Sequence, residues 1–307
     1  MTIIDVFAHV LPPKFLAKMD AIHPQILNQF PYMRNTLLTN LDQHKASLPA
    51  GHQQVLSMVT LNPEDFVDAD QAATLCRFGN TELAELVRDN RDVFPAGVAM
   101  LPLNNVPAAL KIIDDQVAHS DALVGVQLFT QALGRPITDS AYEPIFAKLA
   151  AIGAPVWLHP VFDVHKTANN LTFSWEYELT QAMYGMVAAK YFRKYPQLKV
   201  IVHHAGAMVP YFSQRIKYIQ SAEDYADFQK FYVDTAILGN PRALDLAADF
   251  FGVDHVLFGT DSPFGIPPVG PTAVIEQAVR KMTVTADQKQ AILHGNWERL
   301  MGALNAC

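Results

Sequence analysis

The chain has 307 residues, half of them apolar, a formal net charge of −7 and two widely separated cysteines, Cys76 and Cys307. That length buries one large core, as a barrel or as two domains. An acidic balance without a Lys/Arg run sets nucleic acid aside as a partner, and the cysteines frame neither a disulfide scaffold nor a cysteine-rich zinc site.

The opening MTIIDVFAH lacks the basic and apolar regions of a signal peptide. No apolar run approaches the ~20 residues a membrane span needs, so a soluble, cytoplasmic protein is expected. Apolar runs then recur at 3–6, 55–61, 96–101, 123–129, 155–159, 200–203, 231–233 and 255–259. They are too apolar for half-exposed strands and alternate with helix-like stretches, which predicts parallel strands covered by helices. Residues 141–152 place Ile145, Leu149 and Ile152 on one helical face, with Gly153 as the stop. Residues 180–195 do the same with Met183, Met186, Val187 and Phe192, before Pro196. Eight such repeats predict a (β/α)8 TIM barrel formed by residues 1–307 as a single domain. A doubly wound open sheet is the alternative, disfavoured because no early strand is followed by GxGxxG. Residues 10–54, with five prolines and few sustained apolar faces, read as an insertion after the first strand, over the barrel mouth or at a subunit contact.

Chemistry in a barrel sits at the C-terminal strand ends. His9, His159, His203, His204, Asp234 and Asp261 fall there. Imidazole and carboxylate suit a catalytic zinc with three protein ligands, and His9, His159 and Asp261 would supply them. Plainer readings stand beside this one. A strand-end histidine can be a hydrogen-bonded structural residue, Asp261 can shape the turn before Pro263, and Asp234 can cap a helix. In an extended strand His203 and His204 point to opposite sides, so at most one faces the pocket.

Seven motifs give these residues a context: IDVFAHVLPP (4–13), GVQLF (125–129), WLHP (157–160), HHAGAMVPYFSQRI (203–216), FYVDTA (231–236), FGTDSPF (258–264) and ILHGNWERLMG (292–302). Together they resemble the amidohydrolase superfamily, in the branch of 2-amino-3-carboxymuconate-6-semialdehyde decarboxylase and γ-resorcylate decarboxylase. The resemblance implies one divalent ion, most naturally zinc with manganese as the alternative, on His9, His159 and Asp261. It implies proton transfer by His204, with Asp261 orienting water or protonating carbon, and leaves His203 facing away. It also implies a homodimer in which Arg215 binds a substrate carboxylate.

Two departures stand out. Phe7 replaces the first histidine of the branch's His-x-His motif, and a phenyl ring cannot ligate. Phe7 is therefore expected to wall the ion and touch substrate, while Asp5, two residues deeper, is a doubtful substitute. The stretch from Leu37 to Asp42 also lacks the arginines of the semialdehyde decarboxylase. The expected activity is metal-dependent, non-oxidative decarboxylation of a small unsaturated or aromatic carboxylic acid. A metal-dependent hydrolase of a lactone, ester or amide is the alternative, and a non-catalytic small-molecule binder with a degraded metal site is the third reading.

Overall fold

The computed structural model describes residues 2–162 and 171–302; Cys307 lies outside the described residues. Seven parallel strands form one sheet in sequential order. They are β1 (Ile3–Val10), β2 (His52–Met58), β3 (Ala96–Ala99), β4 (Leu123–Phe129), β5 (Val156–His159), β6 (Val200–Val202) and β7 (Tyr232–Val233). A doubly wound sheet reverses its order, and this one does not.

The eighth predicted strand is not a regular one. Its first residue, His255, ends a short 3-10 turn, Val253–His255. Residues 256–262 still close the barrel: Leu257 N donates to Val233 O at 2.8 Å, while Val6 N donates to Phe258 O at 2.8 Å and His9 N to Ser262 O at 2.7 Å. Parallel bridges join Val233 to Val256 and Ala8 to Ser262. The expected (β/α)8 barrel is thus present, with an irregular final stave.

The main helices are α1 (Pro13–Ile22), α2 (Ala69–Asp89), α3 (Glu143–Ile152), α4 (Ser174–Ala188), α5 (Ser213–Ile219), α6 (Pro241–Phe251) and α7 (Thr272–Arg280). Asp68 caps α2 by accepting from the amides of Asp70 and Gln71. Gly153 ends α3 at φ 71°, as its lack of a Cβ permits. Helix α4 departs from expectation. It starts at Ser174 rather than near residue 180, and the left-handed Lys190 separates it from a short Tyr191–Lys194 turn. Its first turn carries residues that face a cavity, so the core-facing periodicity begins only at Leu179.

Two apolar clusters follow from the period-two alternation of the strands. Ala8, Leu56, Leu158, Val200 and Val202 pack outward with the helices. Phe7, Val55, Val98, Trp157, Ile201 and Leu257 form a second, inner cluster. Burying each large side chain there contributes about 1.5–3 kcal/mol, and the Trp157 indole N–H is satisfied by Val6 O at 2.8 Å. Two residues further along, the same faces present His9, Ser57, His159 and His203. The inner core is therefore the floor on which the polar layer rests.

Between β1 and β2 the chain carries α1 and short helices at Ile26–Gln29, Thr36–Thr39 and Leu41–Ser47. Tyr32 Oη donates to Thr60 O at 2.7 Å and Asn35 Nδ2 to Pro263 O at 3.4 Å. These bonds tie the segment between β1 and β2 to the loops at the C-terminal strand ends. Among the described residues, no helix is long and apolar enough to cross a membrane.

Candidate active site

His9, His159, His203 and Asp261 each offer a ligand atom, and the four atoms lie within 4.8 Å of one another. They come from β1, β5, the end of β6 and the final stave. Each histidine has its Nδ1 occupied by a different partner. His9 Nδ1 meets Ser57 Oγ at 3.0 Å, and His159 Nδ1 meets Pro160 O at 2.5 Å. His203 Nδ1 meets Asp234 Oδ2 in a very short contact. A carbonyl or carboxylate only accepts, so His159 and His203 must donate from Nδ1. In the neutral rings their Nε2 atoms are then the lone-pair nitrogens.

His9 Nε2 and His203 Nε2 are buried without a hydrogen-bond partner. Asp261 Oδ1 lies 3.0 Å from the first and 3.5 Å from the second, but neither contact has hydrogen-bond geometry. Buried polar atoms left this way are costly, and convergence on a common point is what a cation would satisfy. The donor set fits a divalent ion.

Electrostatics agree with mutual dependence. Burial, together with the charges of His203 and His9, holds His159 well below the ordinary imidazole range. Burial opposes charge on His203, but the Asp234 and Asp261 carboxylates outweigh it and push its pKa up to about 10. Burial opposes the Asp261 anion, yet His203 and His9 hold its carboxyl far below the usual range.

The expectation that His203 faces away is corrected. His203 is the last extended residue (φ −65°, ψ 162°), and the next four have φ of 56°, 55°, 75° and 55°. This left-handed turn curls the chain back, so His204 joins His203 on the mouth side with ring centroids 4.1 Å apart. Alternation applies only while the strand stays extended.

Phe7 also needs correction. It is fully buried and does not line the cavity, so it cannot be a substrate contact. Its ring stacks under His203 at 4.0 Å and 27°. Asp5 is engaged away from the cluster, accepting from Phe7 N, Gln54 Nε2, Thr260 N and Thr260 Oγ1. Burial pushes its pKa up to about 7. It does not stand in for the missing histidine.

Above the cluster opens a cavity of about 630 Å³, walled by Tyr32, Phe162, Trp175, Ile237 and Phe264 and reached by His9, His159, His204 and Asp261. His204 Nδ1 meets Glu176 Oε1 at 2.7 Å. Trp175 stacks near His204 at 6.2 Å and 24°. Its indole Nε1 is buried without a partner among the described residues. Sequence reading missed Trp175 and Glu176, whose signal was hidden because α4 begins earlier than its apolar pattern. Arg215 is exposed on α5 and does not reach the cavity of its own chain. No Lys or Arg lines the cavity among the described residues.

A parallel barrel with imidazoles and a carboxylate converging at the C-terminal strand ends defines a metal-dependent barrel enzyme. The chain belongs to the amidohydrolase family, whose model matches residues 8–302. It is 31% identical over 228 residues to 6-methylsalicylic acid decarboxylase of Penicillium expansum, covering 68% of this chain and 69% of that one. It is 25% identical over 267 residues to 2-amino-3-carboxymuconate-6-semialdehyde decarboxylase of Dictyostelium discoideum, covering 81% and 72%. A crystal structure of dihydroxybenzoic acid decarboxylase from Polaromonas with bound manganese superposes with a TM-score of 0.80, at 21% identity over 98% and 97% of the two chains. The expected family and branch are borne out.

Proposed function

We propose that the chain is a metal-dependent, non-oxidative decarboxylase of a small aromatic 2-hydroxy acid carrying one carboxylate. The observation carrying this is the position of the four ligand-capable groups at the base of an aromatic-walled cavity that His204 also faces. No Lys or Arg is among the described lining residues, so beyond the one carboxylate that the partner subunit's Arg215 would meet, a second carboxylate in the cavity would lack a counter-ion. The relatives named for decarboxylation of aromatic acids support the reaction class.

His9, His159 and Asp261 would hold the ion, which would supply Lewis acidity to the bound acid. Three imidazole and carboxylate ligands suit zinc, with manganese as the alternative. The aromatic wall orients the ring and excludes water. The Trp175 indole N–H is placed to donate to a substrate oxygen. Asp261 would be taken up by the ion, so proton delivery falls to His204. His204 Nε2 gives its proton to the ring carbon bearing the carboxylate. The C–C bond then breaks, its electron pair returns to the ring and CO₂ leaves, and solvent restores the proton. Glu176 holds His204 Nδ1, which fixes the ring in the cavity wall.

Arg215 fits this scheme in a homodimer, in which the partner subunit presents it to the opposite site. Tyr211 and Tyr218, 76% and 80% exposed beside it, support such a contact. The buried unpaired Cys76 suits a reducing cytoplasm. The test is CO₂ release and product analysis on a panel of 2-hydroxybenzoates and matched dicarboxylates. Alkyl- or hydroxy-substituted monocarboxylates should give the higher kcat/KM; preference for the dicarboxylates, or products retaining every carbon, refutes the reading.

A further inference from the structure

We propose that His203 is a ligand of the divalent ion, taking over from β6 the place that Phe7 leaves open on β1. The inference rests on the metal-dependent reading above and adds a fourth protein ligand to it.

Three independent features carry it. First, the free nitrogen is the right one. Asp234 accepts from His203 Nδ1, and that carboxylate is itself immobilised, its Oδ1 accepting from Ala205 N at 3.1 Å and Ala236 N at 3.0 Å. A carboxylate behind an imidazole fixes its tautomer and aims the other nitrogen at a metal. Second, that nitrogen is buried, has no hydrogen-bond partner and converges with donors of His9, His159 and Asp261 within 4.8 Å. Third, Phe7 fits the exchange. Its ring lies 5.7 Å from those of His9 and His159 but only 4.0 Å from His203, nearly parallel to it. An apolar ring there raises the floor and braces the imidazole instead of ligating.

The register explains why His203 can make this move. Val202 pairs with Val233 across β6 and β7, so residues 203 and 234 emerge side by side. Gly259 lets the final stave approach closely: a Cβ on it would lie 2.7 Å from Asp234 Cβ and 3.1 Å from Phe7 Cβ.

The other state of His203 is an imidazolium held between Asp234 and Asp261. X-ray absorption on the zinc-loaded wild-type protein separates the two. Three imidazoles in the first shell are expected. Two imidazoles overturn the inference but leave metal dependence intact, and failure to bind one equivalent of ion overturns both. The zinc Kd, measured by competition with a chromophoric chelator, gives the second readout. Asp234→Asn should weaken it by roughly 10–100-fold, and His203→Ala by more. An unchanged Kd in His203→Ala refutes the assignment. Recovery of affinity on adding Phe7→His to His203→Ala supports the exchange of ligand between strands.

Discussion

At the scale of the residue, His204 and Glu176 divide one task. His204 faces the cavity, and Glu176 holds its far nitrogen at 2.7 Å. His204→Ala should lower kcat by roughly 10²–10⁴-fold while the divalent-metal content is unchanged. Glu176→Gln keeps a hydrogen-bonding side chain but loses the charge, and should cost about tenfold in kcat, ~1.4 kcal/mol, with KM little changed. Steady-state kinetics beside metal analysis checks both; a Glu176→Gln enzyme with wild-type kcat would remove the carboxylate from the mechanism. His9, His159 and Asp261 were legible in the sequence because each interrupts or follows an apolar strand. His203 was misread because alternation was extended one residue past the strand. Glu176 gave no signal, since its partnership joins residues 28 positions apart through a helix start that apolar spacing does not mark.

At the scale of the element, the turn after β6 is the least ordinary piece of backbone. Four consecutive residues adopt positive φ, and only Gly206 among them lacks a Cβ. Each left-handed non-glycine residue costs about 1–2 kcal/mol; the bonds of Asp234 to Ala205 N and Ala236 N help to hold the turn. A Cβ on Gly206 would come within 2.6 Å of Phe251 Cε2 and 3.0 Å of Val233 Cγ1. Gly206→Ala is therefore expected to destabilise the fold by roughly 2–5 kcal/mol, seen as a lower urea midpoint at unchanged m-value. An unshifted midpoint would mean the turn relaxes freely. Seven strands were readable from apolar runs alone. The final stave was read too, at 255–259, but its irregularity was not, because the apolar run Val256–Phe258 looks like a strand yet is held by isolated bridges and turns around Asp261 rather than by a continuous ladder.

At the scale of the whole molecule, buried acids set a pH dependence. Glu64 is buried, its Oε1 accepting a long 3.4 Å contact from Leu103 N. Burial first, and then the neighbouring Asp65, push its pKa from an ordinary 4.5 to about 8. The folded chain then keeps a proton that the unfolded chain releases, so stability falls as pH rises from about 4.5 to 8 and levels off above. Glu64→Gln carries no such proton. Between pH 5 and pH 8 its denaturation midpoint should fall less than that of the wild type; parallel curves would rule out the group's contribution.

The irregular final stave has a mechanical consequence. It closes the barrel through a few bonds to β1 and β7, and it also carries Asp261, whose Oδ1 reaches toward His9 on β1 and His203 beyond β6. An ion at that point acts as a clasp across the seam. Chelation should therefore open the molecule locally before it unfolds globally, with amide exchange accelerating first at residues 256–262 and much less in α2 or β4. The cofactor would then govern whether the cylinder stays shut as well as what happens inside it.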